Sequence, residues 1–111
     1  MELPEEIYKI IDAIVNAVPT EEIYLFGSYA YGTPHQDSDY DFYVVFPEDG
    51  MRPADALTEI GMAVAAIQTR SVDLLGGRRS NFEKRRHLFG GLERTIAMKG
   101  LKLYEHGTQR T

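Results

Sequence analysis

Asp39 and Asp41, one residue apart, and Asp73 further along are the side chains in this sequence best suited to hold a metal ion. Asp39-Tyr40-Asp41 runs into Phe42-Tyr43-Val44-Val45, and Tyr40 to Phe46 reads as a strand. Side chains alternate along a strand, so both carboxylates leave its start on one face. They would sit ~5–7 Å apart, from a rise of about 3.3 Å per residue. Two charges at ~5 Å repel by roughly 3 kcal/mol at an effective dielectric near 20. A cation would offset that repulsion, and oxygen-only ligands select a hard ion such as magnesium or manganese. The plain alternative is an acidic strand start that is simply solvated. Ser71-Val72-Asp73-Leu74-Leu75 reads as another short strand, with Val72 and Leu74 toward the core. That puts Asp73 on the face assigned to Asp39 and Asp41. A charge in the middle of a short apolar strand is unusual. Its alternative role is to guard a sheet edge against aggregation.

A second feature lies upstream. Gly27-Ser28 ends the strand pattern of Glu22-Ile23-Tyr24-Leu25-Phe26. Glycine permits a sharp turn and close approach of a ligand. Ser28 is placed to cap a short helical turn through Tyr29, Ala30 and Tyr31, which Gly32 would end. Such a helix start favours a phosphate. Alone, Gly-Ser after a strand is an ordinary turn.

Together the two features are more specific. Gly27-Ser28, then ten residues, then Asp39-x-Asp41, between two strands, resembles the signature of nucleotidyltransferases of the DNA polymerase β superfamily. It is most similar to the minimal nucleotidyltransferases, the small antitoxin partners of HEPN-type toxins. Gly32 and Ser38 also match. The resemblance implies an α/β (α+β) nucleotidyltransferase fold: a small mixed sheet with helices packed on one face and an open acidic cleft on the other.

The resemblance also implies a reaction. Nucleotidyl transfer attacks the α-phosphate of a nucleoside triphosphate and expels pyrophosphate, so it needs charge and fixed geometry more than a covalent nucleophile. Asp39 and Asp41 would bridge two magnesium ions, with manganese as the other candidate. Asp73 would complete the site of the ion nearest the acceptor hydroxyl and take its proton. Gly27 and Ser28 would hold the β- and γ-phosphates of ATP. Ser38 would hold the Asp39 carboxylate or cap the strand start. Many relatives have a basic residue just before the second glycine of the motif; here that position is Tyr31. The implied acceptor is a tyrosine of a cognate HEPN-type toxin, which would make this chain the antitoxin of a type VII pair. Two other readings stand beside it: an inactive nucleotide-binding module that neutralises its partner by contact, and a small-molecule nucleotidyltransferase.

Composition narrows the classes. The 111 residues form one expected domain, 1–111, with 43% apolar residues and enough core to fold alone. Larger relatives carry a second domain for the acceptor. Here the acceptor is expected from a hetero-oligomeric partner or a second copy of the chain. No apolar run is long enough to span a bilayer. The acidic start, Met1-Glu2-Leu3-Pro4-Glu5-Glu6, is unlike a secretory or organelle signal. The sequence has no cysteine, which excludes disulfides and thiolate zinc sites and fits the cytoplasm. A net charge of −5 argues against duplex DNA as a partner.

The remaining elements serve as scaffold. Pro4 to Val18 is an expected helix with Ile7, Ile10, Ile11, Ile14, Val15 and Val18 on one stripe. Thr33 to Ser38 reads as a polar loop, in which His35 is either a ligand contact or solvated. Pro53 to Thr69 reads as a second helix, burying Leu57, Ile60, Val64 and Ile67. Gly76-Gly77-Arg78-Arg79 reads as a flexible basic loop, and Ser80-Asn81-Phe82-Glu83 as a capping-box helix start. Phe82, Leu88 and Phe89 are candidate core contacts, with a break at Gly90-Gly91. A further helical pattern reaches Lys99, and Leu101 to Tyr104 closes the fold as a strand. His106 to Thr111 reads as a frayed tail. Arg70, Arg78, Arg79, Lys84, Arg85 and Arg86 form a basic group. It is either a solvated surface or a face for phosphates, RNA or an acidic partner.

Overall fold

Four strands, β1 (Glu22–Phe26), β2 (Tyr40–Phe46), β3 (Val72–Arg78) and β4 (Leu101–Glu105), form one mixed sheet in the order β3-β2-β1-β4. The computed structural model describes residues 3–34 and 38–107. β1 pairs antiparallel with β2 and with β4, whereas β2 and β3 are parallel. A parallel pair needs a crossover, and α3 (Pro53–Ala65) supplies it.

The apolar periods decide which surfaces meet. α1 (Glu5–Ala17) turns Ile7, Ile10, Ile11 and Ile14 fully inward, at 0% exposure. With Ala56, Ile60 and Val64 of α3 they cover Ile23, Leu25, Phe42, Val44 and Phe46 on one face of the sheet. Each buried isoleucine contributes roughly 1.5–3 kcal/mol of transfer free energy. The mixed α/β sheet expected from the sequence is thus the observed one. The opposite face is shared. Phe82 of α4 (Arg79–Arg85) and Ile96 of α5 (Leu92–Lys99) cover Tyr24, Tyr43 and Val45. Asp39 and Asp73 remain exposed on that face and Asp41 half-buried.

Several expectations are corrected. α3 ends at Ala65, not Thr69, and Ile67 is 41% exposed. Gly76 and Gly77 are strand, not flexible loop. A Cβ at Gly76 would lie 2.7 Å from the Val44 carbonyl oxygen and 2.8 Å from the Phe46 ring, so glycine serves close passage of two strands. Ser80 is not the cap of α4. The helix starts at Arg79, and a carboxylate oxygen of Glu48 accepts the Ser80 N–H at 2.7 Å. Phe82 is buried as expected, but Leu88 and Phe89 are 53% and 91% exposed. His106 is held, its N–H donating to the Glu21 carbonyl at 2.7 Å. His35 lies outside the described residues, as do Gln36, Asp37 and Thr108 to Thr111.

Candidate active site

The site gathers where β1 ends and where β2 and β3 begin. Asp41 is in register with Phe26 of β1 on one side and with Asp73 of β3 on the other. Residues in register on neighbouring parallel strands share a face, so the two carboxyls meet, within reach of a hydrogen bond when one is protonated. Burial first, then that hydrogen bond and the charges of Asp73 and Asp39, push the Asp41 carboxyl up to about 6. Asp39 is exposed and acts on Asp41 through its charge. Among the described residues, no three Asp, Glu, His or Cys side chains stand close enough to form a ready cage.

The turn after β1 touches the same carboxylate. Gly27 has φ +77°, a left-handed value that side chains disfavour. A Cβ built there would lie 2.1 Å from an Asp41 carboxylate oxygen. Gly27, not Ser28, is the cap of α2 (Ser28–Tyr31), because its carbonyl accepts the Ala30 and Tyr31 N–H groups, each at 3.0 Å. Ser28 is therefore the first helical residue, and its hydroxyl makes no capping bond. Gly32 ends the turn in the left-handed conformation, as expected. Ser38 is buried, and Tyr31 points outward at 44% exposure.

This oxygen-only donor set fits a hard divalent cation. Asp41 is pushed toward protonation by burial first and then by its neighbours' charge, and a cation would relieve the latter. The chain's own geometry thus offers an acidic pair touching a phosphate-suited turn.

Arg70 was grouped with a basic surface on sequence and is something else. Its guanidinium donates to the Tyr29 hydroxyl at 2.7 Å and to the Ser38 carbonyl at 3.1 Å. It also stacks near the Tyr29 and Tyr40 rings, 5.7 and 5.3 Å from their centroids. No periodicity marks such a residue, because its partners are brought together only by the sheet. The rest of the group is mostly structural. Arg78 donates to the Pro47 and Glu48 carbonyls, Arg79 pairs with Glu21, and Arg86 pairs with Glu83. Lys84 and Arg85 are exposed.

Among the described residues, no helix is long and apolar enough to cross a membrane. No curated protein sequence matches this chain. Solved structures do. A toxin–antitoxin complex with AMP-PNP has 28% identity and a TM-score of 0.67, over 94% of this chain and 76% of that one. A mutant of the MntA–HpeT toxin–antitoxin has 25% identity and a TM-score of 0.64, over 94% and 75%. A tri-AMPylated Shewanella oneidensis HEPN toxin in complex with MNT antitoxin shares the fold at 24% identity and a TM-score of 0.56, over 90% and 70%. The family model for the nucleotidyltransferase domain matches residues 7–103, a span that takes in the glycine turn and all three aspartates. By that match the chain belongs to the nucleotidyltransferase domain family.

Proposed function

We propose that this chain, as a single domain over 1–111, moves AMP from ATP to a tyrosine hydroxyl of a cognate HEPN-type toxin, as the antitoxin of a type VII pair in the cytoplasm. The observation that carries the reading is the in-register Asp41–Asp73 pair in contact with the Gly27 turn. The partner is supported by similarity to toxin–antitoxin complexes at 25–28% identity, one of them with AMP-PNP. The same fold also occurs beside a tri-AMPylated HEPN toxin.

Asp39, Asp41 and Asp73 would hold divalent cations, two magnesium ions or manganese in their place. When bound, such ions supply positive charge at the reacting phosphate and lower the pKa of the acceptor hydroxyl. The chain's own residues do the rest. Gly27 and Ser28 seat the β- and γ-phosphates against the start of α2, Gly32 closes that turn, and Ser38 anchors the backbone just before Asp39. Asp73 takes the proton of the acceptor hydroxyl. The acceptor's hydroxyl oxygen bonds to the α-phosphorus as the bond to pyrophosphate breaks. Tyr31 carries no positive charge for the phosphates, so the start of α2 and the bound ions would supply it.

The test mixes the protein with its HEPN-type companion, labelled ATP and magnesium. Label should reach the companion. A complex that forms without transferring label would refute the catalytic reading for this pair.

One observation favours a second reading. Asp39 is exposed, and no ready three-ligand cage exists among the described residues. A module that neutralises its partner by contact needs no such cage. Asp39→Asn with Asp41→Asn separates the two, since a contact module keeps neutralising its partner. Turnover on a small hydroxyl compound without any protein would instead identify a small-molecule nucleotidyltransferase.

A further inference from the structure

We infer that Arg70 is a positioning residue that fixes the phosphate turn against the acidic segment. This deepens the nucleotidyltransferase reading and rests on it for its catalytic arm.

The site is assembled from three separate stretches: α2 after β1, the start of β2, and the start of β3. Arg70 touches the first two and is joined to the third by the chain. Its Nη1 donates to the Tyr29 hydroxyl in α2 and to the carbonyl of Ser38, the residue before Asp39. The guanidinium plane lies near the rings of Tyr29 and Tyr40, which meet edge-on at 4.9 Å. The next residue, Ser71, accepts the Tyr40 N–H at 3.1 Å, and Asp73 follows two residues later. Gln68 accounts for the Arg70 carbonyl, donating to it at 3.0 Å.

Tyr29, Ser38 and Tyr40 are all buried, at 8%, 6% and 2% exposure, so these bonds are partly shielded from water. Tyr40 points to the face opposite Asp39 and Asp41. Arg70 therefore braces the site from behind. Its contribution is placement rather than charge at the carboxylates. A planar fork with several donors suits this role, and a lysine ammonium does not. Small displacements of a reacting group cost about 10²-fold in rate, so slack in this brace should be visible in catalysis.

The test uses Arg70→Lys, which keeps the charge, and Tyr29→Phe, which keeps the ring and removes one bond. Hydrogen exchange of the metal-free protein is read first. Arg70→Lys should speed exchange at residues 28–31 and 38–41 together, while α1 keeps its protection. The magnesium-ATP gain in melting temperature should fall by about half or more. AMP transfer to the companion should fall about ten-fold or more in kcat/KM. Tyr29→Phe should raise the KM for ATP about three-fold with little change in melting temperature. Wild-type exchange at both segments in Arg70→Lys would overturn the inference. Should Arg70→Lys not fold, an unchanged KM in Tyr29→Phe would overturn it equally. If wild-type protein transfers no label, the proposed function fails, and the exchange measurement still decides the role of Arg70.

Discussion

Asp41 and Asp73 stand side by side in register on parallel strands, so their carboxyls meet and can share a hydrogen bond only when one of them is protonated. The pair is a local instability held in place by the sheet around it.

Removing that instability should stabilise the metal-free protein. The Asp41 carboxyl is raised to about 6, above its unfolded value, so its contribution to stability is full at low pH. It is lost as pH rises through about 6. Taken whole, the shift is worth at most ~3 kcal/mol, and solvent screening reduces this to about 1 kcal/mol. Asp41→Asn should therefore melt about 4–8 °C above wild type at pH 8 without divalent ions. The gap should close as pH falls below the range where Asp41 ionises. In magnesium-ATP the order should reverse. Melting curves across pH, with and without magnesium-ATP, check this.

Gly27→Ala should be severe for two separate reasons. The added methyl meets an Asp41 oxygen at 2.1 Å, and the backbone at φ +77° disfavours any side chain. The conformational strain alone is about 1–3 kcal/mol. Chemical denaturation should show at least that loss, and magnesium-ATP should no longer raise the melting temperature.

Glu48 holds the first turn of α4 through the Ser80 N–H, and hydrogen bonding from the Ser80 side chain first, then from that N–H, lowers its pKa. A lowered carboxyl stabilises above its unfolded pKa, and the benefit is lost as pH falls through the folded value. Glu48→Gln should thus be less stable than wild type at pH 7, with the difference fading as pH falls through the folded value. A denaturation series over pH reads it directly.

Two phenylalanines of the C-terminal region should behave oppositely. Phe82 is fully buried, with the rings of Tyr24 and Tyr43 each 5.3 Å away. Phe82→Ala should cost about 3–5 kcal/mol, a large part of a small domain's stability. Phe89 is 91% exposed, with the Arg94 guanidinium over its ring. Phe89→Ser should change stability by less than about 0.5 kcal/mol. Denaturant midpoints of the two variants decide the contrast.

The contrast also shows what sequence pattern can carry. The α1 stripe, the Tyr40–Phe46 strand and the placement of Asp73 across from Val72 and Leu74 follow from local pattern, and the structure repeats them. What was not legible depends on distant partners. Ser80 looked like a cap because its own neighbours fit, yet the acceptor is Glu48, far back in the chain. Gly76-Gly77 looked flexible because glycine usually is, yet the Val44 carbonyl and Phe46 ring leave no room for anything larger. Leu88 and Phe89 fit a helical stripe, but α4 ends at Arg85 before it can turn them inward. Arg70 belongs to the same class, since its partners lie on two other segments.

The order of the strands has a consequence for biosynthesis. β1 is flanked by β2 and β4, and β4 is made long after it. While residues 101–105 are still untranslated, one side of Glu22–Phe26 has open amides and carbonyls with Ile23 and Leu25 beside them. That is an invitation to pair with another nascent chain. Completion of this sheet therefore waits on the ribosome's delivery of its last strand, and a chain stalled before Leu101 should clump rather than fold.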